Sequence, residues 1–122
     1  MIIVLEYIFM KEKQDPTIDT LLDLDRLIAE IGKGYWVKIE ARKVRQDPAK
    51  PHGVKYSLTL HNPKGERILG YDNAHAVLSK PSLKVHDHMH KSGKIVSYSY
   101  KDAAKLLEDF WKDVERILEK ET

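Results

Sequence analysis

The chain of 122 residues contains no cysteine. This absence excludes a disulfide framework, a thiolate zinc site and a cysteine nucleophile. Long hydrophobic runs are absent too: the apolar start, MIIVLEYIFM, carries Glu6 and is far shorter than the roughly 20 residues of a membrane-spanning helix. The same segment lacks the basic start and small-residue cleavage site of a signal peptide. The sequence therefore predicts a cytoplasmic protein that has no contact with a membrane.

Length and composition indicate one folded domain. A chain of 122 residues can bury one hydrophobic core, and its apolar fraction of 42% is ordinary for a globular protein. We expect residues 1–16 to form an N-terminal extension. The alternative interpretation is that its apolar start forms a short buried element. A single domain is expected at residues 17–122.

The net charge of +2 hides an uneven distribution of charge along the chain. Residues 1–34 hold four Lys or Arg against seven Asp or Glu, and residues 101–122 hold five against seven. Residues 35–100 hold twelve against five, and all six histidines lie there. A basic centre that contains the titratable imidazoles suits a polyanionic partner such as RNA or DNA.

Hydrophobic periodicity and turn residues divide the domain into helices and strands. Residues 17–31 fit a helix, but part of this segment also tolerates a strand, and periodicity does not decide between them. Strands are predicted at residues 35–44, 54–60, 66–71, 83–91 and 95–100. Residues 101–120 predict an amphipathic helix, with Ser99 and Asp102 approximating a capping box at its start. Because short loops demand antiparallel pairing, we predict an α+β domain. Its antiparallel meander of four to six strands spans residues 35–100, and the long C-terminal helix packs on one face.

The most informative stretch is LKVHDHMHK at residues 83–91, in which His86, His88 and His90 alternate with other residues. In an extended chain these three imidazoles line one face at intervals of roughly 7 Å. Asp87 then points to the opposite face, unless a turn or bulge re-aims it. Imidazole acts as acid, base or metal ligand near neutral pH, so this stretch predicts a functional site.

Several motifs together resemble the TumE-type toxins of prokaryotic toxin–antitoxin pairs. In order they are LLDLD, GYWVKIEA, PHGVKYSLTLH, GYDNAH, DHMH and DAAKLLEDFW, and they cover about residues 20–118. The most specific part is Tyr71-Asp72-Asn73 followed by the pair His88-x-His90.

The chain departs from the family pattern at two positions of the histidine stretch. Family members often have Tyr before the Asp-His and Arg or Lys between the two histidines, where this chain has His86 and Met89. The differences remove one cation and add one imidazole. They therefore change the electrostatics of the site.

The resemblance implies a growth-arresting toxin that a cognate antitoxin protein neutralises, often one with a DNA-binding helix-turn-helix. A nuclease activity is the usual expectation, so the chain is a candidate endoribonuclease. The catalytic candidates are His88, His90, Asp72, Asn73 and Asp87. The candidates for binding nucleic acid are Lys38, Arg42, Arg67 and Lys91.

Two mechanisms suit these residues, and a third class of function competes with both. In the first, RNA is cut without a cofactor: one histidine removes a proton from the 2′-hydroxyl and another protonates the leaving oxygen. In the second, His88 and His90 with Asp72 or Asp87 ligate a divalent metal ion that activates water. In the competing class the protein is a non-catalytic, protein-binding toxin.

The expected partners are the antitoxin and RNA, and self-association stays open. The antitoxin segment that covers the basic centre should be acidic or should insert an apolar helix. Phe110 and Trp111 on the last helix offer a second docking face, unless they are buried against the sheet.

Overall fold

A computed structural model describes residues 15–46, 50–74 and 87–121. Most of the predicted extension, at residues 1–14, lies outside the described residues, as do His75 and His86. Asp15, at the end of that extension, contacts the domain, because its carboxylate accepts a hydrogen bond of 2.7 Å from the backbone N–H of Ala103. The described elements are, in chain order, α1 (Ile18–Asp23), β1 (Leu27–Gly32), β2 (Tyr35–Lys43), β3 (Val54–His61), β4 (Arg67–Asp72), β5 (His88–Lys91), β6 (Lys94–Ser97) and α2 (Ala103–Lys120).

The six strands form one sheet in the order of the sequence, and each strand pairs antiparallel with the next. Tight turns connect β1 to β2, β3 to β4 and β5 to β6, and turns of this length permit only antiparallel pairing. The helix α2 packs against the sheet. The predicted α+β class, the meander and the terminal helix are therefore confirmed.

The sheet begins earlier in the chain than the sequence predicted, at Leu27 instead of Tyr35. The segment at residues 17–31 is not one element, because α1 ends at Asp23 and Arg26 adopts a left-handed φ of 71° that redirects the chain. From Leu27 onward, half-buried and exposed side chains alternate, as they do in a strand with one face on the core. The segment therefore contains a helix in its first half and a strand in its second half.

The core lies between the sheet and the two helices. On α2 the side chains of Leu106, Phe110 and Val114 recur every four residues and are almost fully buried. The helix is capped by Asp102, whose carboxylate accepts a hydrogen bond of 2.7 Å from the backbone N–H of Lys105. Ser99 is not the capping residue, so the predicted capping box begins three residues too early. Phe110 is buried and Trp111 only half-buried, so the helix keeps part of one aromatic surface accessible.

Two tyrosines, Tyr71 buried and Tyr98 half-buried, connect α2 to the sheet side of the core through carboxylates. Tyr71 on β4 donates a hydrogen bond of 2.5 Å to Asp113, and Tyr98 donates one of 2.6 Å to Asp109. Burial, and then the adjacent carboxylate, raises the pKa of both hydroxyls above the ordinary value of tyrosine. Both hydroxyls therefore stay protonated near neutral pH and remain donors to the helix.

The sheet has a second face, opposite to α2, that carries polar side chains. Residues paired across neighbouring strands share a face, so the register assigns its members. We call this surface the open face; its described members are Ile28, Glu30, Trp36, Lys38, Glu40, Arg42, Lys55, Ser57, Thr59, His61, Arg67, Gly70, Asp72, His88, His90, Ile95 and Ser97.

Candidate functional site

The centre of the open face is an aspartate–histidine pair between β4 and β5. Asp72 pairs with His88 in the register and Gly70 pairs with His90, so all four lie on the same face. The Nε2 atom of His90 lies 2.9 Å from Oδ2 of Asp72. Their side chains keep 22% and 14% of their surface exposed, so water screens this contact only partly and the ring of His90 remains accessible from solvent.

Arg67 lies at the other ring nitrogen of His90, with Nη2 at 3.5 Å from Nδ1. A guanidinium group can only donate hydrogen bonds, so Nδ1 must be the acceptor in this contact. The ring proton then sits on Nε2 and is donated to the carboxylate of Asp72. In this tautomer Nε2 faces the carboxylate of Asp72 and Nδ1 faces the guanidinium of Arg67.

His88 completes the group from the next position on the same face of β5. Its ring is half-buried, and among the described residues none hydrogen-bonds it. In the register it lies between Asp72 on β4 and Ser97 on β6. The structure thus brings three of the five catalytic candidates, Asp72, His88 and His90, to one patch of the sheet.

A glycine forms the floor of this patch. A Cβ atom added to Gly70 would lie 3.6 Å from Cδ of Arg67 and 3.7 Å from both Cβ of His90 and Cγ2 of Thr59. A side chain here would fill the space between those groups. Gly70 lies in the strand predicted at residues 66–71, and no role was predicted for it. Glycine inside a strand nevertheless often marks a place where a ligand approaches closely.

Asn73 and Asp87, the other two catalytic candidates, lie away from this patch and form hydrogen bonds within the fold. Asn73 is 1% exposed; its side chain accepts from the N–H of Tyr56 at 3.0 Å and donates to the carbonyl of Val54 at 2.7 Å. Asp87 precedes β5 on the side of α2, as strand alternation leads one to expect. Its carboxylate is buried and bonds to His52 and Tyr56.

Three of the four predicted cations lie on the open face. Lys38, Arg42 and Arg67 belong to it, although Lys38 forms an exposed ion pair of 2.9 Å with Glu40. Lys91 follows His90 and therefore points to the side of α2, where its Nζ lies 3.7 Å from Asp113. The described strand residues of this face carry four cations and three carboxylates, so its positive charge is slight before any histidine is protonated.

A flat aromatic stack occupies the same face at the other end of the strands. The rings of Trp36 and His61 lie 3.9 Å apart and are inclined by only 7°. His61 Nε2 contacts the hydroxyl of Thr59 at 2.9 Å. Burial lowers the pKa of His61, so its ring is neutral at pH 7. The predicted strands at residues 35–44 and 54–60 include Trp36 but leave His61 in the following turn, so the sequence does not indicate that the two rings stack.

A comparison with known protein families shows which family the chain belongs to. A family model described as Toxin TumE matches residues 18–118, a span that includes every strand and nearly all of α2. The chain belongs to the TumE toxin family. Membership supports a toxin role for this TumE protein and implies a cognate antitoxin as its partner. No curated protein and no solved structure matches the chain.

The described part of this TumE protein contains no ready-made metal site. Over residues 15–46, 50–74 and 87–121, no three histidine, aspartate or glutamate side chains converge as metal ligands do. Asp72 and His90, two of the three expected ligands, are engaged with each other. Over the same residues, neither helix of this TumE protein has the length and apolar character needed to cross a membrane.

Proposed function

We propose that this TumE protein is the toxin of a toxin–antitoxin pair and that it cuts RNA at the open face without a metal ion. One observation carries the proposal: His90 is held between the carboxylate of Asp72 and the guanidinium of Arg67. A neutral imidazole fixed in one tautomer by a carboxylate is a suitable general base. The adjacent cation is suited to the phosphate that the base must approach.

The reaction follows from the positions of these groups. Nδ1 of His90 takes the proton of a ribose 2′-hydroxyl, and that oxygen attacks the adjacent phosphorus. Arg67 stabilises the additional negative charge on the phosphoryl oxygens. His88, in its protonated form, gives a proton to the departing 5′-oxygen. The products are a 2′,3′-cyclic phosphate and a free 5′-hydroxyl, and one proton has moved from RNA to His90 and another from His88 to RNA.

The remainder of the open face suits a single-stranded substrate. Lys38 and Arg42 supply charge along β2, and the Trp36–His61 stack offers a flat aromatic surface. Bases stack on aromatic side chains whatever their sequence, whereas a paired duplex hides its base faces. We therefore infer that the substrate is RNA with unpaired bases.

The antitoxin then silences the toxin by covering this face. Ile28 and Ile95 are each 64% exposed on the outer strands of the open face, so the polar centre lies between two accessible apolar side chains. A partner that is acidic in the middle and apolar at its flanks would complement this pattern. Charge complementarity would accelerate its association, and salt would slow it.

Cleavage of a defined RNA by purified protein tests the proposal. Wild type and Lys64→Ala, an exposed lysine in the β3–β4 turn, should cut equally well. His90→Ala should lose about 10²- to 10⁴-fold in rate, the range of general acid–base catalysis, while keeping its circular dichroism spectrum. The ends of the products should be cyclic phosphates and 5′-hydroxyls.

Chelation separates the proposal from its alternatives. Cleavage that persists in EDTA supports general acid–base catalysis by histidine. Cleavage that EDTA abolishes and Mn²⁺ or Zn²⁺ restores would instead assign a metal-dependent nuclease. Growth arrest that survives both His88→Ala and His90→Ala would point to a non-catalytic toxin.

A further inference from the structure

A second histidine is held by a buried carboxylate on the opposite side of the sheet. Nε2 of His52 lies 2.9 Å from Oδ1 of Asp87, and Oδ2 of the same carboxylate accepts a hydrogen bond of 2.6 Å from the hydroxyl of Tyr56. Asp87 and Tyr56 are only 5% and 2% exposed. The ring of His52 also stacks on Tyr100, with centroids 3.9 Å apart. His52 is therefore held by two neighbours, Asp87 and Tyr100.

The protonation of this chain of groups follows from the same contacts. Burial, and then the charge of Asp87, raises the pKa of Tyr56, so its hydroxyl keeps its proton and stays a donor. The carboxylate therefore accepts from Tyr56 through Oδ2, and its Oδ1 faces Nε2 of His52. Nδ1 is the nitrogen of His52 that this carboxylate does not use.

His52 and Tyr100 line a cleft of about 400 Å³ between α1, the β2–β3 connection and the start of α2. Lys43, Arg45 and Lys101 lie on its walls, and all three are exposed. The volume falls in the range of roughly 300–1,000 Å³ that is typical of small-molecule sites. The cleft thus combines an oriented imidazole, an aromatic ring and three cations.

The cleft also includes Asp15, whose carboxylate is already hydrogen-bonded to groups of the fold. Its carboxylate accepts hydrogen bonds from the N–H groups of Thr17 at 2.8 Å and Ala103 at 2.7 Å, and from the hydroxyl of Thr17 at 2.6 Å. Burial favours the protonated form, but these hydrogen bonds prevail and lower the pKa of Asp15. Asp19 is a second, exposed carboxylate on the wall of the cleft. Since Asp15 is satisfied from within the fold, the three cations Lys43, Arg45 and Lys101 still outnumber Asp19 at the site of an anionic ligand.

We propose that this cleft binds a phosphate monoester, either of a free nucleotide or at the terminus of an RNA strand. The phosphate would contact the exposed cations, and the Tyr100–His52 stack would adjoin the sugar and base. The site is separate from the open face, because Asp87 and His88 are consecutive residues whose side chains point to opposite faces. The proposal therefore does not depend on the ribonuclease activity.

Nuclear magnetic resonance titrations of the whole protein test the proposal. The probes are inorganic phosphate, 5′-AMP, adenosine, and a short RNA with and without a 5′-phosphate. We expect 5′-AMP and phosphate to shift the resonances of His52 and Tyr100, and adenosine to bind at least tenfold more weakly than 5′-AMP. A 5′-phosphorylated RNA that binds more tightly than 5′-AMP would identify an RNA terminus as the ligand, and the reverse order would identify a free nucleotide.

Variants at exposed positions keep the test independent of folding. Asp87→Asn disturbs a buried carboxylate, so Arg45→Ala and Lys101→Ala are the better changes. Each should weaken 5′-AMP binding by about tenfold, the cost of one charge-assisted hydrogen bond. Lys64→Ala removes an exposed lysine far from the cleft, and His90→Ala alters the other site; both should bind 5′-AMP as the wild type does.

Several results would overturn the proposal. They are equal binding of adenosine and 5′-AMP, resonance shifts at His90 and Arg67 in place of His52, wild-type affinity in both cation variants, or no binding by any probe. The two proposals fail separately: unchanged RNA cleavage in His90→Ala would refute the role of the open face, and it would say nothing about binding in the His52 cleft.

Discussion

Replacement of Asp72 by asparagine tests how the carboxylate prepares His90. The change keeps the size of the side chain and an oxygen at Oδ1, which accepts a hydrogen bond of 3.1 Å from the N–H of Ala74. It also turns an obligate acceptor into a group that can donate through its NH₂. An amide that donates to Nε2 of His90 would shift the ring proton to Nδ1, where the guanidinium of Arg67 lies 3.5 Å away. The nitrogen proposed as the base would then carry a proton and face a cation.

The size of the effect follows from the hydrogen bond that is lost. A hydrogen bond to a charged group contributes about 1.5–3 kcal/mol, and each 1.4 kcal/mol corresponds to about tenfold in rate. We therefore expect Asp72→Asn to reduce kcat/KM by about 10- to 150-fold. His90→Ala, which removes the base itself, should reduce it by at least as much. The free energy of unfolding should fall by at most about 1.5–3 kcal/mol, because the same hydrogen bond to His90 is lost from the folded state.

Two measurements check this prediction. Single-turnover cleavage of RNA gives the rate, and the nitrogen chemical shifts of His90 report which ring nitrogen carries the proton. We expect Nε2–H in the wild type and Nδ1–H in Asp72→Asn. An unchanged tautomer together with an unchanged rate would refute the role assigned to Asp72, whatever the activity of His90→Ala.

Three further predictions concern the fold and the floor of the site. Phe110→Ala should lower the free energy of unfolding by about 3–5 kcal/mol in urea denaturation, because the ring is fully buried, and Trp111→Ala should cost less. Since burial and carboxylates raise the pKa values of Tyr71 and Tyr98, the unfolded chain releases these protons first. Stability should therefore be complete below about pH 10 and decline as pH rises beyond it, and Tyr98→Phe should flatten that decline in denaturation measured across alkaline pH. Gly70→Ala should slow RNA cleavage but leave the melting temperature nearly unchanged. The added Cβ meets its neighbours at ordinary distances, yet it occupies the floor of the site. Equal cleavage by the alanine variant and the wild type would contradict a close approach of substrate there.

Local pattern determined much of the fold and part of the candidate site. Alternation in the histidine stretch alone predicted that His88 and His90 share a face and that Asp87 faces away, because successive side chains of a strand point to opposite sides. The spacing of apolar residues predicted the last helix, and the short connections predicted antiparallel pairing. Each of these features depends on residues that are close in the chain, so the sequence contains the necessary information.

Other features depended on residues that are far apart in the chain. Residues 17–31 satisfied helix and strand equally, and the division at Arg26 arises because Leu27 onward pairs with β2. Asn73 looked like part of a catalytic motif, but it bonds to the backbone of β3, because β4 ends beside that strand. Lys91 was predicted to bind nucleic acid with the other three cations, but it lies on the side of α2, where the packing of that helix supplies Asp113 as its neighbour.

The tertiary structure decided which groups act together. The contact of Asp72 with His90 required β4 and β5 to pair in one particular register, which no short segment specifies. His52 belonged to a loop with no evident purpose, and it reaches Asp87 across 35 positions of the chain. A carboxylate becomes the partner of a particular imidazole only when packing buries the two together. Periodicity in the sequence therefore determined the direction of each side chain, and the folded sheet determined its neighbours.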